Sequence, residues 1–464
     1  MADSTATTLS SPHQAKALSI SLNKRRIRML LYFGLILCDC AAIRSGFAVG
    51  GSFRAARWLA PLGIEIGWIL LPLYIFIALR NGAISREALQ RPSESLRRSV
   101  SALILASSVV TLVMFFQYLG LLVSRVAFGM AILSTLGFIC LYRLFFHLCF
   151  VSPVKGGLVG ELLIVDGVPP RPGAYHVFDA GAVGFVPDLN DPDALARLSV
   201  LIEPYDRVVV SAAGPERRHA WALLLKAYDI TGEIQLDQGS PLGAIGISRY
   251  HGSDTAVVAV GAMSLGNRVM KRLMDLVLAG LTTIALLPLL VAIAIAIKLD
   301  SRGPVLFSQI RMGRGNKPFR ILKFRSMRVE ATDSDGRRSA TPDDDRITRV
   351  GRILRMTSLD ELPQIFNVLK GDMSIVGPRP HALGSLAGDK LFWEVSQKYW
   401  LRHTLKPGIT GLAQVRGYRG ATHEQSDLEN RLQSDLEYIE GWRLWRDVTI
   451  IVNTLRVIVH PKAY

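Results

Sequence analysis

Five apolar runs constrain this chain more than any other feature. Four fill its first third, at about 29–49, 58–79, 100–123 and 126–150, and a fifth covers 276–297. At 1.5 Å per helical residue, each of the first four is long enough to cross roughly 30 Å of hydrocarbon. Half of the 464 residues are hydrophobic and the mean hydropathy is +0.29, higher than soluble chains of this size carry. Flanking charge orients the runs. Lys24, Arg25, Arg26 and Arg28 precede the first, and Arg80, Arg86, Arg91, Arg97 and Arg98 separate the second from the third. The loops at 50–57 and 124–125 hold only Arg54, Arg57 and Arg125. The positive-inside rule then puts both ends of a four-helix transmembrane bundle, 25–150, in the cytoplasm. Asp39, Arg44 and Glu65 interrupt the runs. Charge at membrane depth is costly, so each is either paired between helices, set near a helix end, or functional.

Residues 1–24 are polar and lack the apolar run and cleavage site of a signal peptide, and they read as a disordered cytoplasmic tail. Cys38, Cys40, Cys140 and Cys149 all lie in apolar stretches and read as small hydrophobes rather than a disulfide or zinc set. The formal charge of +16 suits nucleic acid, anionic lipid or phosphorylated substrates, and the apolar content favours the last two.

The composition changes over 155–262. ELLIVDG (161–167), DRVVVSAA (206–213) and TAVVAV (255–260) read as short buried strands, and 191–202 and 214–228 as helices. That alternation predicts a Rossmann-like α/β domain with a parallel sheet. The first strand leads into DGVPP instead of GxGxxG, so a dinucleotide site is not expected there and a structural, regulatory or oligomerisation role is.

The fifth run belongs to a helix over 273–298. Lys271 and Arg272 precede it and Lys298, Arg302, Arg311 and Arg314 follow, so both flanks look cytoplasmic. Pro288 in its middle removes a backbone hydrogen bond. A re-entrant helix kinked at Pro288 satisfies both facts; a Pro-kinked spanning helix is the competing reading. The next stretch, 301–328, is basic, with Arg311, Arg314, Lys317, Arg320, Lys323, Arg325 and Arg328 among Phe307, Phe319 and Phe324. Its place after a membrane segment favours a phosphate-binding surface over a nucleic-acid strip. No site is assigned to Asp343 or Asp344 in the polar loop 329–345.

Arg349, Arg352 and Arg355 recur at three-residue spacing before SLDELPQ (358–364). Ser358 and Glu361 have the spacing of a capping box, and Asp360 that of a first-turn carboxylate. The same residues also form a set for phosphoryl transfer: a carboxylate nucleophile, a second carboxylate for Mg²⁺, and a cationic clamp.

Residues 268–464 resemble the bacterial sugar transferase family, the monotopic phosphoglycosyl transferases. The resemblance runs through KRLMD (271–275), GPVLFSQIRMG (303–313), KPFRILKFRSM (317–327), DRITRVGRILR (345–355), TSLDELPQIFNVLKGDMSIVGPRP (357–380), KPGITGLAQVRGYRG (406–420) and DLEYIEGW (435–442). The segments before it are similar to the long subgroup, which transfers hexose-1-phosphate to a polyprenyl phosphate at the start of exopolysaccharide, capsule or O-antigen synthesis. The resemblance implies a mainly α catalytic domain at the cytoplasmic face of the bacterial inner membrane. It implies Asp360 as nucleophile on a UDP-sugar, Glu361 (with Asp360) as Mg²⁺ ligand, and Lys323, Arg325, Arg355, Arg379 and Arg311 as phosphate-binding residues. Undecaprenyl phosphate is the implied acceptor, glucose the favoured sugar and galactose the next. Where related members carry a Ser before the kinking proline, this chain has Leu287. Two other readings are a non-catalytic membrane scaffold, in which the dyad is a helix cap, and a nucleic-acid-binding membrane protein, which the position of the basic stretch disfavours. Trp393, Trp400, Trp442 and Trp445 suit either an interface or a core, His403 reads as structural, and the front segments could pair two copies.

Overall fold

The computed structural model describes residues 12–52, 66–116, 124–154, 160–169, 176–236, 244–328, 346–418 and 424–459. The chain forms two compact units, one of 1–160 with 263–269 and one of 161–262 with 270–464.

The first unit is helical: α1 (Pro12–Ser52), α2 (Ile66–Arg80), α3 (Arg86–Gln90), α4 (Pro92–Phe116) and α5 (Arg125–Phe146), the last continued by a π-helical turn to Val151. Helix α1 starts within the segment expected to be a disordered tail, because 14–24 carries helix-forming Ala, Lys and Leu and no breaker. Helix α4 and the α5 segment to Val151 are long and apolar enough to cross a membrane. Helix α2 is described for 15 residues, about 22 Å of rise; Glu65 lies outside the described residues. The charge in α1 has a partner. Arg143 of α5 donates from Nε and Nη2 to the two oxygens of Asp39 at 2.8 and 2.6 Å, and Tyr74 of α2 donates to Asp39 Oδ2 at 2.9 Å. Arg143 Nη1 also reaches the Ala83 carbonyl and Ser95 Oγ. One fully buried ion pair thus joins α1, α2, α4 and α5, and removing either partner alone would leave a charge costing about 3–5 kcal/mol. Gly46 and Gly50 let α1 meet α5 closely; a Cβ at Gly46 would stand 2.6 Å from the Thr135 backbone nitrogen. Arg44 lies over the ring of Trp68.

In the second unit, the α/β segment comprises β1 (Glu161–Asp166), β2 (Val177–Asp179), α6 (Ala180–Val183), α7 (Pro192–Ile202), β3 (Arg207–Ala212), α8 (Pro215–Lys226), β4 (Thr231–Gln235), β5 (Gly246–Tyr250) and β6 (Ser253–Ala259). The six strands order as β2-β1-β3-β4-β6-β5. The first four are parallel, as the alternation of strands and helices predicts. Strand β6, expected to be parallel, runs antiparallel to β4 and β5. The reason is local: His251 and Gly252 both take positive φ, 43° and 81°, which makes a two-residue hairpin and reverses the chain.

The remainder holds α9 (Leu265–Asp300), whose first turn belongs to the first unit, then the hairpin β7 (Leu306–Met312) and β8 (Pro318–Phe324), α10 (Arg349–Met356), α11 (Gln364–Lys370) and β9 (Ser374–Val376). A small hairpin, β10 (Leu386–Ala387) and β11 (Lys390–Leu391), is followed by α12 (Phe392–Val395), a 3-10 segment at Tyr399–Thr404, and β12 (Gly408–Thr410). The chain then ends in α13 (Leu412–Val415), α14 (Gln425–Glu440) and α15 (Leu444–Val459). The basic stretch after α9 is therefore largely a β-hairpin. Strands β9 and β12 pair in parallel, and Gly377 and Gly408 permit the approach, since a Cβ at Gly408 would sit 2.1 Å from the Gly377 nitrogen.

The α/β segment and the C-terminal region share one core. Leu198, Trp221 and Tyr228 pack in the same cluster as Met312, Trp400 and Leu428. Asn316, at positive φ in the β7–β8 turn, donates to the Ala227 carbonyl at 2.9 Å and accepts from His403 Nδ1 at 2.7 Å. Lys317 pairs with Glu203 at 2.8 Å. His403 is thus structural.

Helix α9 is held at both ends by this unit. Lys271 donates to the Val376 carbonyl and pairs with buried Asp447 of α15, and Asp275 accepts from Ser374 and the Ile375 amide. Farther along, Leu290, Ile293 and Ile297 pack on Phe324 and Leu354. The β8 edge is stitched to α11 by Asn367, which accepts from the Leu322 amide at 2.9 Å and donates to the Arg320 carbonyl at 2.7 Å.

Two outcomes follow. Asn367→Ala leaves a backbone donor and acceptor unpaired and should cost about 2–4 kcal/mol, read as a lower denaturant midpoint; an unchanged midpoint contradicts the stitch. Burial first, and then Arg402, hold His403 well below its ordinary 6.5. The unfolded chain therefore takes up a proton below that pH while the folded one does not. Stability should fall as pH drops below about 6.5, by up to about 1.4 kcal/mol per pH unit for this residue, and His403→Asn should flatten that slope.

Candidate active site

Asp360 and Glu361 sit between two helices and belong to neither. Helix α10 ends at Met356, Ser358 turns into the left-handed region at φ 56°, Leu359–Glu361 form one 3-10 turn, and α11 begins only after Pro363. The capping box expected from the spacing of Ser358 and Glu361 does not form, because Ser358 makes no side-chain cap and Glu361 is drawn elsewhere. A serine at this φ stores about 1–3 kcal/mol of strain, and the surroundings hold it in place. Leu359 and Leu362 pack into the cluster of Leu290, Ile293 and Leu354, which anchors the turn on α9. Arg272 fixes α11 from its far end, donating to the Val368 and Leu369 carbonyls.

The two carboxylates are treated differently. Glu361 Oε1 accepts from Lys323 Nζ of β8 at 2.9 Å and from Arg379 Nη2 at 2.5 Å. Burial alone would raise the Glu361 carboxyl, but Arg379 and Lys323 outweigh it and hold it well below the usual range. Among the described residues nothing hydrogen-bonds the Asp360 carboxylate. Burial pushes it up, with Glu361 adding to the rise and Lys323, Arg355 and Arg379 opposing it. Glu361 is a fixed anion, then, and Asp360 an uncommitted one facing cations.

Of the expected cations, the fold brings Lys323, Arg355 and Arg379 to the dyad. Arg311 stands within electrostatic reach of Arg379 and Glu361, and burial and Arg379 pull its guanidinium down to about 10. Arg325 faces away: buried, it donates to the Ser301 carbonyl and hydroxyl at the end of α9. Pro288 lies inside α9, which stays helical through it. Trp393, Trp400 and Trp442 pack inward, whereas Trp445 is exposed. Glu361 and Asp360 are the residues that could hold Mg²⁺. Among the described residues no cluster of three metal-ligating side chains occurs. Mg²⁺ commonly takes one or two carboxylates and fills its shell from substrate phosphate and water, and both cation contacts to Glu361 fall on Oε1, so the donor set fits.

Several residues that build the site gave no signal of their own in the sequence. Arg402 is fully buried, bonded to Asp435 of α14 and to the carbonyl of Arg379, and so holds the loop that presents Arg379. Asn367, Arg272 and the Lys271–Asp447 pair fix the framework. The charges in KRLMD read as membrane-flanking cations, but Lys271 and Arg272 turn out to be engaged inside the protein.

Sequence comparison places the chain among known proteins. Residues 266–461 match the family described as bacterial sugar transferase. An undecaprenyl-phosphate glucose phosphotransferase of Komagataeibacter xylinus is 46% identical over 45% of this chain and 40% of its own length. A UDP-glucose:undecaprenyl-phosphate glucose-1-phosphate transferase of Caulobacter vibrioides is 50% identical over 40% of this chain and 68% of its own. The exopolysaccharide production protein PSS of Rhizobium leguminosarum bv. phaseoli is 46% identical over 40% of this chain and 94% of its own. The chain spans about two-fifths of the length of the first of these, and the matched part holds the dyad and its cations. The chain belongs to the bacterial sugar transferase family.

Proposed function

We propose that this protein transfers glucose-1-phosphate from UDP-glucose to undecaprenyl phosphate, the first membrane step in building an exopolysaccharide. The observation that carries the reading is the split between the two carboxylates. A nucleophile needs a free oxygen and an anchored frame, and Asp360 beside Glu361 has both. An Asp360 oxygen attacks the β-phosphorus of the UDP-sugar; the bond from phosphorus to the bridging oxygen breaks, and UMP leaves with that electron pair. A phosphate oxygen of the lipid then attacks the same phosphorus, the Asp360–phosphorus bond breaks, and the carboxylate is restored. Lys323, Arg355, Arg379 and Arg311 neutralise the phosphoryl oxygens meanwhile. Mg²⁺ held by Glu361 and Asp360 would supply further charge neutralisation at the diphosphate. The names of the Komagataeibacter and Caulobacter relatives support glucose over galactose.

The reading includes a re-entrant α9 on the cytoplasmic face of the inner membrane. Between Lys271 and Ile297 a helix rises about 39 Å, more than the hydrocarbon thickness, yet residues at both ends pack on one body. Leu273, Val277, Leu281, Ile284, Val291, Ile295 and Leu299 form an exposed apolar stripe at helical spacing along its length. A helix lodged in one leaflet, stripe outward, suits both facts and keeps the dyad where a soluble nucleotide sugar and a lipid phosphate meet.

Asp360→Asn in the solubilised full chain should lower UMP release from UDP-glucose by at least about 10³-fold. Retained turnover would remove Asp360 as nucleophile, and no turnover by the native chain with any of a panel of UDP-sugars would remove the reading. For the topology, Ser264→Cys and Arg302→Cys in a cysteine-free background should both react with an impermeant maleimide only from the cytoplasmic side; labelling from opposite sides would mean that α9 spans.

A further inference from the structure

Asp300 is the last residue of α9 and has no part in the reaction described above. On electrostatic grounds an acidic residue is misplaced there. The carbonyl end of a 36-residue helix carries partial negative charge and favours a cation. Lys298 and Arg302 flank Asp300 in sequence, yet neither forms an ion pair with it among the described residues. The bond its carboxylate makes is remote: Oδ2 accepts from the Val350 amide, in the first turn of α10, at 3.0 Å.

Helix α10 needs that acceptor. Its first amides have no partner within the helix, and it has no acidic residue in its own first turn. Thr348 supplies one cap, accepting from the Gly351 amide at 3.0 Å. Asp300 supplies another and brings a carboxylate to the positive end of the helix. The same corner is closed from a third side. Buried Arg325 grips the Ser301 carbonyl and hydroxyl, and the carbonyl of the next residue, Ser326, accepts the Thr348 amide at 3.1 Å. Gly351 lies so near that a Cβ there would stand 2.1 Å from the Ser326 oxygen. The start of α10 is therefore fixed by the end of α9. The other end of α10 carries Arg355 and leads through Ser358 into the turn that holds Asp360 and Glu361. Val350 and Arg355 are about 8 Å apart along a stiff helix, so a tilt at the start becomes a shift at the end.

We propose that Asp300 is a positioning residue of the transfer reaction. By capping α10 from the end of α9 it fixes where Arg355 and the Asp360–Glu361 turn stand. The inference rests on the transferase reading. It also makes Asp300 the link between the membrane helix and the reacting carboxylate: Asp300 orients, and Asp360 does the chemistry.

The test uses the full chain in detergent, with UDP as the calorimetric probe and steady-state turnover of UDP-glucose with polyprenyl phosphate. The stoichiometry of UDP binding counts folded sites, so turnover per UDP-binding site does not register a loss of folding. Asp300→Ala removes the acceptor and should lower kcat per site by roughly 10-fold or more, with the KM for UDP-glucose within about twofold of native. Asp300→Asn drops the charge but keeps an oxygen in place for the Val350 amide, and should recover most of that loss. Native kcat per site in Asp300→Ala overturns the proposal, as does a loss in Asp300→Asn as deep as that in Asp300→Ala. A raised KM at native kcat would put Asp300 in nucleotide binding and overturn it too. Should Asp300→Ala melt early, Asp300→Ser, whose oxygen falls one bond short of the amide, is read in its place by the same criteria. A native chain that neither binds UDP nor releases UMP sinks the transferase reading itself; an active native chain with unaffected variants sinks this inference alone.

Discussion

One oxygen of Glu361 holds the candidate site together. Lys323 reaches it from β8 and Arg379 from the loop after β9, so a single acceptor ties three segments remote in sequence. The three side chains are only 16 to 26% exposed, which makes the contact strong and its loss costly. Removing one partner of such a pair costs about 3–5 kcal/mol, because the others stay buried and charged. The contact also sets the two carboxylates apart. With Glu361 pinned as an anion, its neighbour Asp360 is raised by burial and by that anion, and only the nearby cations offset the rise. Glu361 supplies the fixed charge, and Asp360 is the carboxylate that accepts no hydrogen bond among the described residues.

Much of this frame was legible in the sequence. The apolar runs became α1, α4, α5 and α9, and the strands at 161–167 and 206–213 became β1 and β3 within a residue. These elements follow from periodicity, which is local. The antiparallel turn of β6 was not legible, because the positive φ at His251 and Gly252 marks a turn without fixing which strands then pair. The capping-box reading at Ser358 failed for a related reason. Spacing alone favoured a cap, but the tertiary pull of Lys323 and Arg379 on Glu361 prevailed over a local cap worth about 1 kcal/mol. Arg325 shows the limit of reading a motif as a single function. In KFRSM, Lys323 turns to the dyad, while Arg325, just beyond the end of β8, ties down the end of α9.

The α/β segment is more than an appendage. It shares a core with the C-terminal region, and the chain of contacts runs from the Ala227 carbonyl through Asn316 to His403. His403 shares a 3-10 segment with Arg402, which holds the Arg379 loop. Yet the Rhizobium relative matches almost its whole length to two-fifths of this chain. In this chain the packing of the candidate site leans on the α/β segment.

The proposed function turns on one step, in which Asp360 carries the sugar phosphate between donor and acceptor. The most direct measurement is mass spectrometry of the purified chain incubated with UDP-glucose and no lipid acceptor. The expected result is a burst of UMP, no more than one per active site, and a hexose-phosphate adduct on the peptide that contains Asp360, discharged when polyprenyl phosphate is added. UMP release that requires the lipid from the outset, or an adduct on another residue, would contradict it.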